Sequence, residues 1–303
     1  MLPGMGVKPR VAIVGAGNFG SLLALVLHQA GYKIEAVVAR SRRKSSSGES
    51  WKRAQRLARQ VGGRAVTDLS DVRVDVIWFC VPDSVIAGAA KSLGGEVEWK
   101  GRVALHSSGA LSSDELDSLR RRGAAVASVH PLMTFVRGAV WSGSDSISRS
   151  ALRGVPFAIE GDARAVRRVR RIVKGLGGHA YTIDKKDKAA YHAWGTFASP
   201  LLTALLATTE QVAALAGVKP KAARQRMIPI LQQTLANYAA FGAADGFSGP
   251  IIRGDVDTVK RHLRVLRGTP AAEVYIALAR AALRYLPAKK KSSLKRILDS
   301  SRG

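Results

Sequence analysis

The chain has one cysteine, Cys80, so no internal disulfide can staple it, and a reducing compartment suits it. Aromatic residues are sparse at 6% and do not interleave with the basic clusters, which argues against a stacking surface for nucleic acid. No run reaches the ~18 apolar residues of a membrane span. The stretch Val11 to Leu27 follows Lys8 and Arg10 as a secretory leader would, but Gly15, Gly17, Asn18 and Gly20 interrupt it, and no small-residue cleavage site is evident. A cytoplasmic protein without membrane association is expected. Acidic residues are also few, 22 against 48 basic, for a net charge of +26. The excess is spread over both halves, so a solvated basic surface accounts for it better than a nucleic-acid partner, and no specific nucleic-acid binding is expected.

At 303 residues, 47% of them hydrophobic, the chain has material for one large or two medium domains. Short apolar runs alternate with helical patterns up to about residue 183. Strands are predicted at Arg10–Val14, Ile34–Ala39, Val74–Cys80, Val103–Leu105, Ala125–Val129, Val155–Ile159 and Ala180–Ile183. That alternation predicts an α/β Rossmann-type, mostly parallel sheet over 8–183. From Lys185 the texture turns Ala- and Leu-rich, predicting an all-α domain over 184–286. A basic, frayed tail is expected over 287–303. The helical domain's apolar faces, as in Leu201–Ala216 and Ala271–Leu286, are expected to be hidden in a homodimer.

The glycines of Val11-Ala-Ile-Val-Gly15-Ala-Gly17-Asn18-Phe19-Gly20 follow an apolar strand and open an amphipathic helix, the context a dinucleotide turn demands. Gly15 allows the tight turn, Gly17 the approach of pyrophosphate, and Gly20 the packing of helix on strand. Asn18 and Phe19 fall at the same helix start, where unpaired N–H groups favour anions. The second strand ends in Ala39-Arg40-Ser41-Arg42 with no carboxylate to bind ribose hydroxyls. Arginine there can hold a 2′-phosphate, so NADP(H) is expected in preference to NAD(H).

Three further segments fall at predicted strand ends, the edge where ligands bind in such sheets. Cys80, Val81 and Pro82, before Asp83, are read as lining the nicotinamide ribose, or as a turn capped by Asp83. Ser107 and Ser108, within Leu105-His-Ser-Ser-Gly-Ala110, offer donors without bulk to orient substrate or nicotinamide, Ser107 as a catalytic and Ser108 as a cofactor-binding candidate, or form an ST-turn leading to a helix capped by Ser112. His130 precedes Pro131, which keeps it extended, as a substrate contact or a buried structural histidine. No metal site is expected.

Asp187-Lys188-Ala-Ala-Tyr191-His192-Ala-Trp-Gly195 reads as the start of a long helix. Lys188 and His192 share a face that Gly195 and Ser199 continue. Reduction of a carbonyl or imine needs a proton donor, a role open to Lys188 or His192, with Ser199 available to substrate. Pro200 is expected to kink this helix near Thr196. Arg253, before a helix capped by Asp255, is a candidate anchor for a substrate carboxylate.

Several of these segments together carry a resemblance. They are Gly15–Gly20, His106-Ser-Ser-Gly, His130-Pro-Leu-Met-Thr-Phe135, Gly154-Val-Pro-Phe-Ala-Ile-Glu160-Gly-Asp162, Tyr191–Ser199 and Gly249-Pro-Ile-Ile-Arg-Gly-Asp255-Val-Asp-Thr-Val259. Over roughly residues 8–286 the chain resembles the Rossmann-like oxidoreductases with a C-terminal domain of unknown function 2520. More distantly it is similar to pyrroline-5-carboxylate reductases and the β-hydroxyacid dehydrogenase clan. The resemblance implies an NADP-type cofactor, a dimerising helical domain and an active site in the interdomain cleft. The clan's Lys-x-x-x-Asn pair has its counterpart in Lys188 and His192, and Pro200 stands where relatives read Asn. The expected activity is reduction of a carbonyl or imine, or its reverse, on a small, carboxylate-bearing metabolite. The alternative is a nucleotide-binding sensor without turnover.

Overall fold

The computed structural model describes residues 7–39, 48–95, 98–136 and 151–300. By internal contact the chain divides into two compact units, Met1–Thr196 and Phe197–Gly303.

The first unit is built on an eight-stranded sheet: β1 Val11–Val14, β2 Ile34–Val38, β3 Arg64–Val66, β4 Val76–Phe79, β5 Val103–His106, β6 Ala125–Pro131, β7 Pro156–Gly161 and β8 His179–Thr182. Their spatial order is β3-β2-β1-β4-β5-β6-β7-β8. The first six run parallel, β7 runs antiparallel to β6, and β8 parallel to β7. The mostly parallel Rossmann-type expectation holds. The strands are near-continuous Val, Ile, Leu and Ala because helices cover both faces. One face packs Ile13, Val37, Trp78 and Leu105 under helices α1 (Asn18–Gln29) and α2 (Glu49–Gln60). The other packs Val14, Phe79 and Val126 under α3 (Asp83–Gly94) and the short α4 (Asp117–Arg120). The edge strand β3 has no predicted counterpart. It has three residues, none buried, so it lacks the apolar run that marks its neighbours.

After α5 (Ala163–Gly175) and β8, helix α6 (Lys188–Ala198) begins within the first unit. Pro200 does not bend a continuous helix. Ser199 leaves the helical region (φ −133°, ψ −79°) and Pro200 opens α7 (Pro200–Leu215) at its first position, where no N–H is needed. The rest of the second unit comprises α8 (Pro220–Asp245), α9 (Pro250–Arg253), α10 (Val256–Leu266), α11 (Pro270–Tyr285) and α12 (Lys291–Ser300). Asp255 caps α10 as expected, accepting from the Thr258 N–H at 3.1 Å. Over its described residues, 287–300, the tail is not frayed. Leu294 and Leu298, one turn apart on α12, are buried against Val259, Leu263, Ile276 and Ala279. Among the described residues no single helix is long and apolar enough to cross a membrane.

Candidate functional site

The site is built from the ends of the parallel strands. Gly15 leaves β1 at φ +101°, a conformation that favours glycine, and its N–H bonds the Val38 carbonyl at 2.9 Å. A β-carbon on it would lie 2.7 Å from the Cys80 carbonyl oxygen, and one on Gly20 would lie 2.1 Å from the Gly15 carbonyl oxygen. Turn, helix and the end of β4 are therefore in backbone contact. Gly17 is the N-cap of α1 and supplies no side chain to its first turn, leaving those N–H groups for a phosphate. Its missing β-carbon would meet nothing nearer than 4.0 Å. These features fit the pyrophosphate of a dinucleotide. Asn18 donates to the Phe135 carbonyl at 3.0 Å, and the Phe19 and Phe135 rings lie 4.9 Å apart, so the segment after β6 crosses the helix start.

Cys80 and Val81 press on Gly15, and Pro82 is the N-cap of α3. Burial pushes the Cys80 thiol up, which keeps it neutral. Asp83 is not the cap. It is the first residue of α3, and its carboxylate accepts from the Ser108 hydroxyl at 2.8 Å. That same hydroxyl accepts from the Leu111 N–H at 2.9 Å, tying down the loop after β5. The Ser107 Oγ accepts from the Trp78 indole at 2.8 Å and also meets the Cys80 thiol.

The last rung of the sheet is half polar. In register across it stand Val38, Val14, Phe79, His106, Ser128 and Glu160. The first three are apolar; His106, Ser128 and Glu160 are buried in a region where strands are otherwise hydrocarbon. Each has partners, as buried polar groups require. His106 Nε2 meets the Ser112 carbonyl at 2.9 Å, and Glu160 accepts from the Ser113 N–H at 2.6 Å and its hydroxyl at 2.8 Å. Burial, then the Lys188 charge, pull His106 down to about 4, so it is neutral at pH 7.

Onto this rung comes Lys188, the first residue of α6, delivered by the short turn Lys185–Asp187. It is 1% exposed. Its ammonium donates to the Ser108 carbonyl at 3.1 Å and to the Ser128 hydroxyl at 2.6 Å, which occupies two of its three N–H bonds. Burial lowers its pKa to about 8, against the opposing charges of Glu160 and Asp83.

One turn further along α6, His192 stands over Gly109 beside His130, the two imidazoles 5.9 Å apart and edge to face. His130 Nδ1 meets the Tyr191 hydroxyl at 3.2 Å. Burial, then the charges of Lys188 and His192, pull His130 down to about 4. Burial also raises Tyr191, which keeps its phenol proton. Gly195 lets Leu132 approach; a β-carbon there would lie 3.1 Å from Leu132 Cδ1.

Of the residues expected from sequence, the fold brings Ser108, His130, Lys188 and His192 together, and sets Cys80, Val81 and Pro82 against the glycine turn. Ser107 faces Trp78. Ser199 lies at the break before α7 and Arg253, exposed, ends α9, both in the second unit. Arg40, Ser41 and Arg42 lie outside the described residues. Ser128 was missed. Its signal is a polar residue inside the apolar run Ala125–Val129.

Residues 6–131 match the Rossmann-like domain, and residues 155–282 match a family described as a domain of unknown function (DUF2520). No curated protein matches the chain. A solved Bacteroides fragilis protein, provisionally described as an NADP oxidoreductase, is 22% identical with a TM-score of 0.70, over 90% of this chain and 97% of that one. Imine reductase from Myxococcus stipitatus, in complex with NADP+, is 18% identical with a TM-score of 0.62, over 96% and 100%. A 1-pyrroline-5-carboxylate reductase from Streptococcus pyogenes is 14% identical with a TM-score of 0.58, over 97% and 98%. At such identities the likeness is one of fold alone. The chain thus carries, in this order, a segment that matches the Rossmann-like domain and one that matches DUF2520.

Proposed function

We propose that the protein is an NADP(H)-dependent oxidoreductase acting on a carbonyl or imine, or in reverse on a hydroxyl or amine, of a small carboxylate-bearing metabolite. The observation that carries this reading is the buried Lys188 amine, held at the sheet edge with one N–H uncommitted among the described residues and a pKa of about 8. The glycine turn and the N-terminus of α1 would hold the cofactor's pyrophosphate, and Arg40, with Ser41 and Arg42, its 2′-phosphate. When bound, the cofactor supplies or accepts a hydride. Lys188 supplies the matching proton to oxygen or nitrogen, a task suited to a group that titrates about one unit above pH 7. Neutral His130 orients the substrate without adding charge, and His192 assists Lys188. Arg253, and Ser199 with it, are assigned to the substrate's carboxylate end. The sparse burial of α8, with Ala223 alone buried in 26 residues, supports a homodimer through the helical unit.

The test is a fluorescence titration with NADPH and NADH on the protein and on Arg40→Ala, then a screen of keto acids and cyclic imines for NADPH consumption. Tight NADPH binding lost in the variant, with turnover abolished by Lys188→Met, supports the reading. Failure to bind either nucleotide sinks it.

A further inference from the structure

We propose that Ser128 and Glu160 are positioning residues for the Lys188 amine: the Ser128 hydroxyl aims it, and the Glu160 carboxylate supplies the buried counter-charge that lets it stay protonated. The inference rests on the oxidoreductase reading for its purpose but not for its geometry.

Ser128 Oγ donates to the Ser108 carbonyl at 3.2 Å while accepting from Lys188 Nζ at 2.6 Å. The Lys188 amine donates to that same carbonyl at 3.1 Å, so the three groups close a triangle. With its proton committed to the carbonyl, the hydroxyl can only turn lone pairs toward the ammonium. Ser128 is fully buried on a central strand, which fixes the triangle to the sheet. Glu160 stands directly across from Ser128 on β7, 4% exposed, and both of its oxygens accept from Ser113. Two donors and no proton to give suit an ionised carboxylate. Among the described residues no carboxylate lies within 4.0 Å of Lys188 Nζ, so Glu160 acts through space. Among the described residues, the other titratable groups whose charges couple to the amine are Asp83 from α3, His106 from β5 and His130 from β6, while His192 lies one turn along its own helix. His106 and His130 are neutral at pH 7, which leaves Asp83 and Glu160 as the compensating charges. A buried ammonium without them would shed its proton.

The experiment follows the Cε/Hε signals of selectively 13C-labelled lysine against pH in the full chain, with Lys188 assigned from its absence in Lys188→Arg. The parent is expected to titrate near pH 8. Ser128→Ala and Glu160→Gln are each expected to move that midpoint down by about one unit. A pH–rate profile should follow the same shift with KM little changed. If Glu160→Gln fails to fold, Ser128→Ala, which removes a single oxygen, decides the matter. An unmoved midpoint in folded Ser128→Ala overturns the proposal. A shifted midpoint in a protein that turns over nothing leaves it standing and removes the oxidoreductase reading instead.

Discussion

Gly109 stands directly under His192: a β-carbon on it would lie 2.5 Å from His192 Cδ2 and 2.8 Å from His130 Nε2. Bare backbone at this one position lets an exposed helix side chain and a half-buried strand side chain approach each other over the loop after β5. The constraint is therefore one of space at the site rather than of backbone conformation.

Gly109→Ala should displace His192, because His130 is tethered to Tyr191 and yields less readily. Turnover is expected to fall about 10- to 100-fold, with a stability loss of about 1–2 kcal/mol. Steady-state kinetics beside a urea titration would check this, and unchanged kcat would show that the two rings need not meet.

Lys188 gives up its proton near pH 8 in the folded chain and near 10.5 once unfolded. Between those values the unfolded chain binds the extra proton, so this group makes stability rise with pH, by a total of about 3 kcal/mol. The raised Cys80 thiol pulls the other way above about pH 9. Subtracting the denaturation profile of Lys188→Met from that of the parent isolates the lysine, and a flat difference between pH 8 and 10 would refute it.

His106 and His130 act at the acid end. Each has a folded value near 4 against 6.5 unfolded, so the unfolded chain gains protons that the folded one refuses as pH falls through that window. Stability is expected to be complete above pH 6.5 and to decline toward pH 4. His130→Phe should show a shallower decline in the urea midpoint; an equal slope would count against its neutral burial.

In the second unit, Asp255→Ala removes the cap of α10 and frees the Thr258 N–H. A cost of about 1 kcal/mol is expected, with nucleotide affinity unchanged. Thermal melts with and without NADPH separate the two effects.

The glycine turn and the parallel strands were legible because Gly15 to Gly20 sit between an apolar strand and an amphipathic helix, where local pattern and fold agree. The three-residue edge strand at Arg64 was not, since its pairing with β2 rests on backbone bonds that no side-chain pattern advertises. The charge of the tail alone predicts fraying, whereas Leu294 and Leu298 gain burial from helices far back in sequence. Lys188 and His192 were found by helix spacing. Ser128 was not, because its meaning depends on long-range placement: register sets it between His106 and Glu160, where its hydroxyl meets the Lys188 amine. Ser107 and Ser108 look alike in sequence, yet in the loop after β5 one hydroxyl meets Trp78 and the other Asp83.

One acceptor for the Lys188 amine is the main-chain carbonyl of residue 108. A carbonyl is encoded by every codon, so no point substitution can delete that half of the anchorage. Sequence drift at 108 can alter the tie to Asp83 while leaving the amine tethered. Among descendants of this fold, selection at the site should therefore read out as tolerance at position 108 beside intolerance at 109.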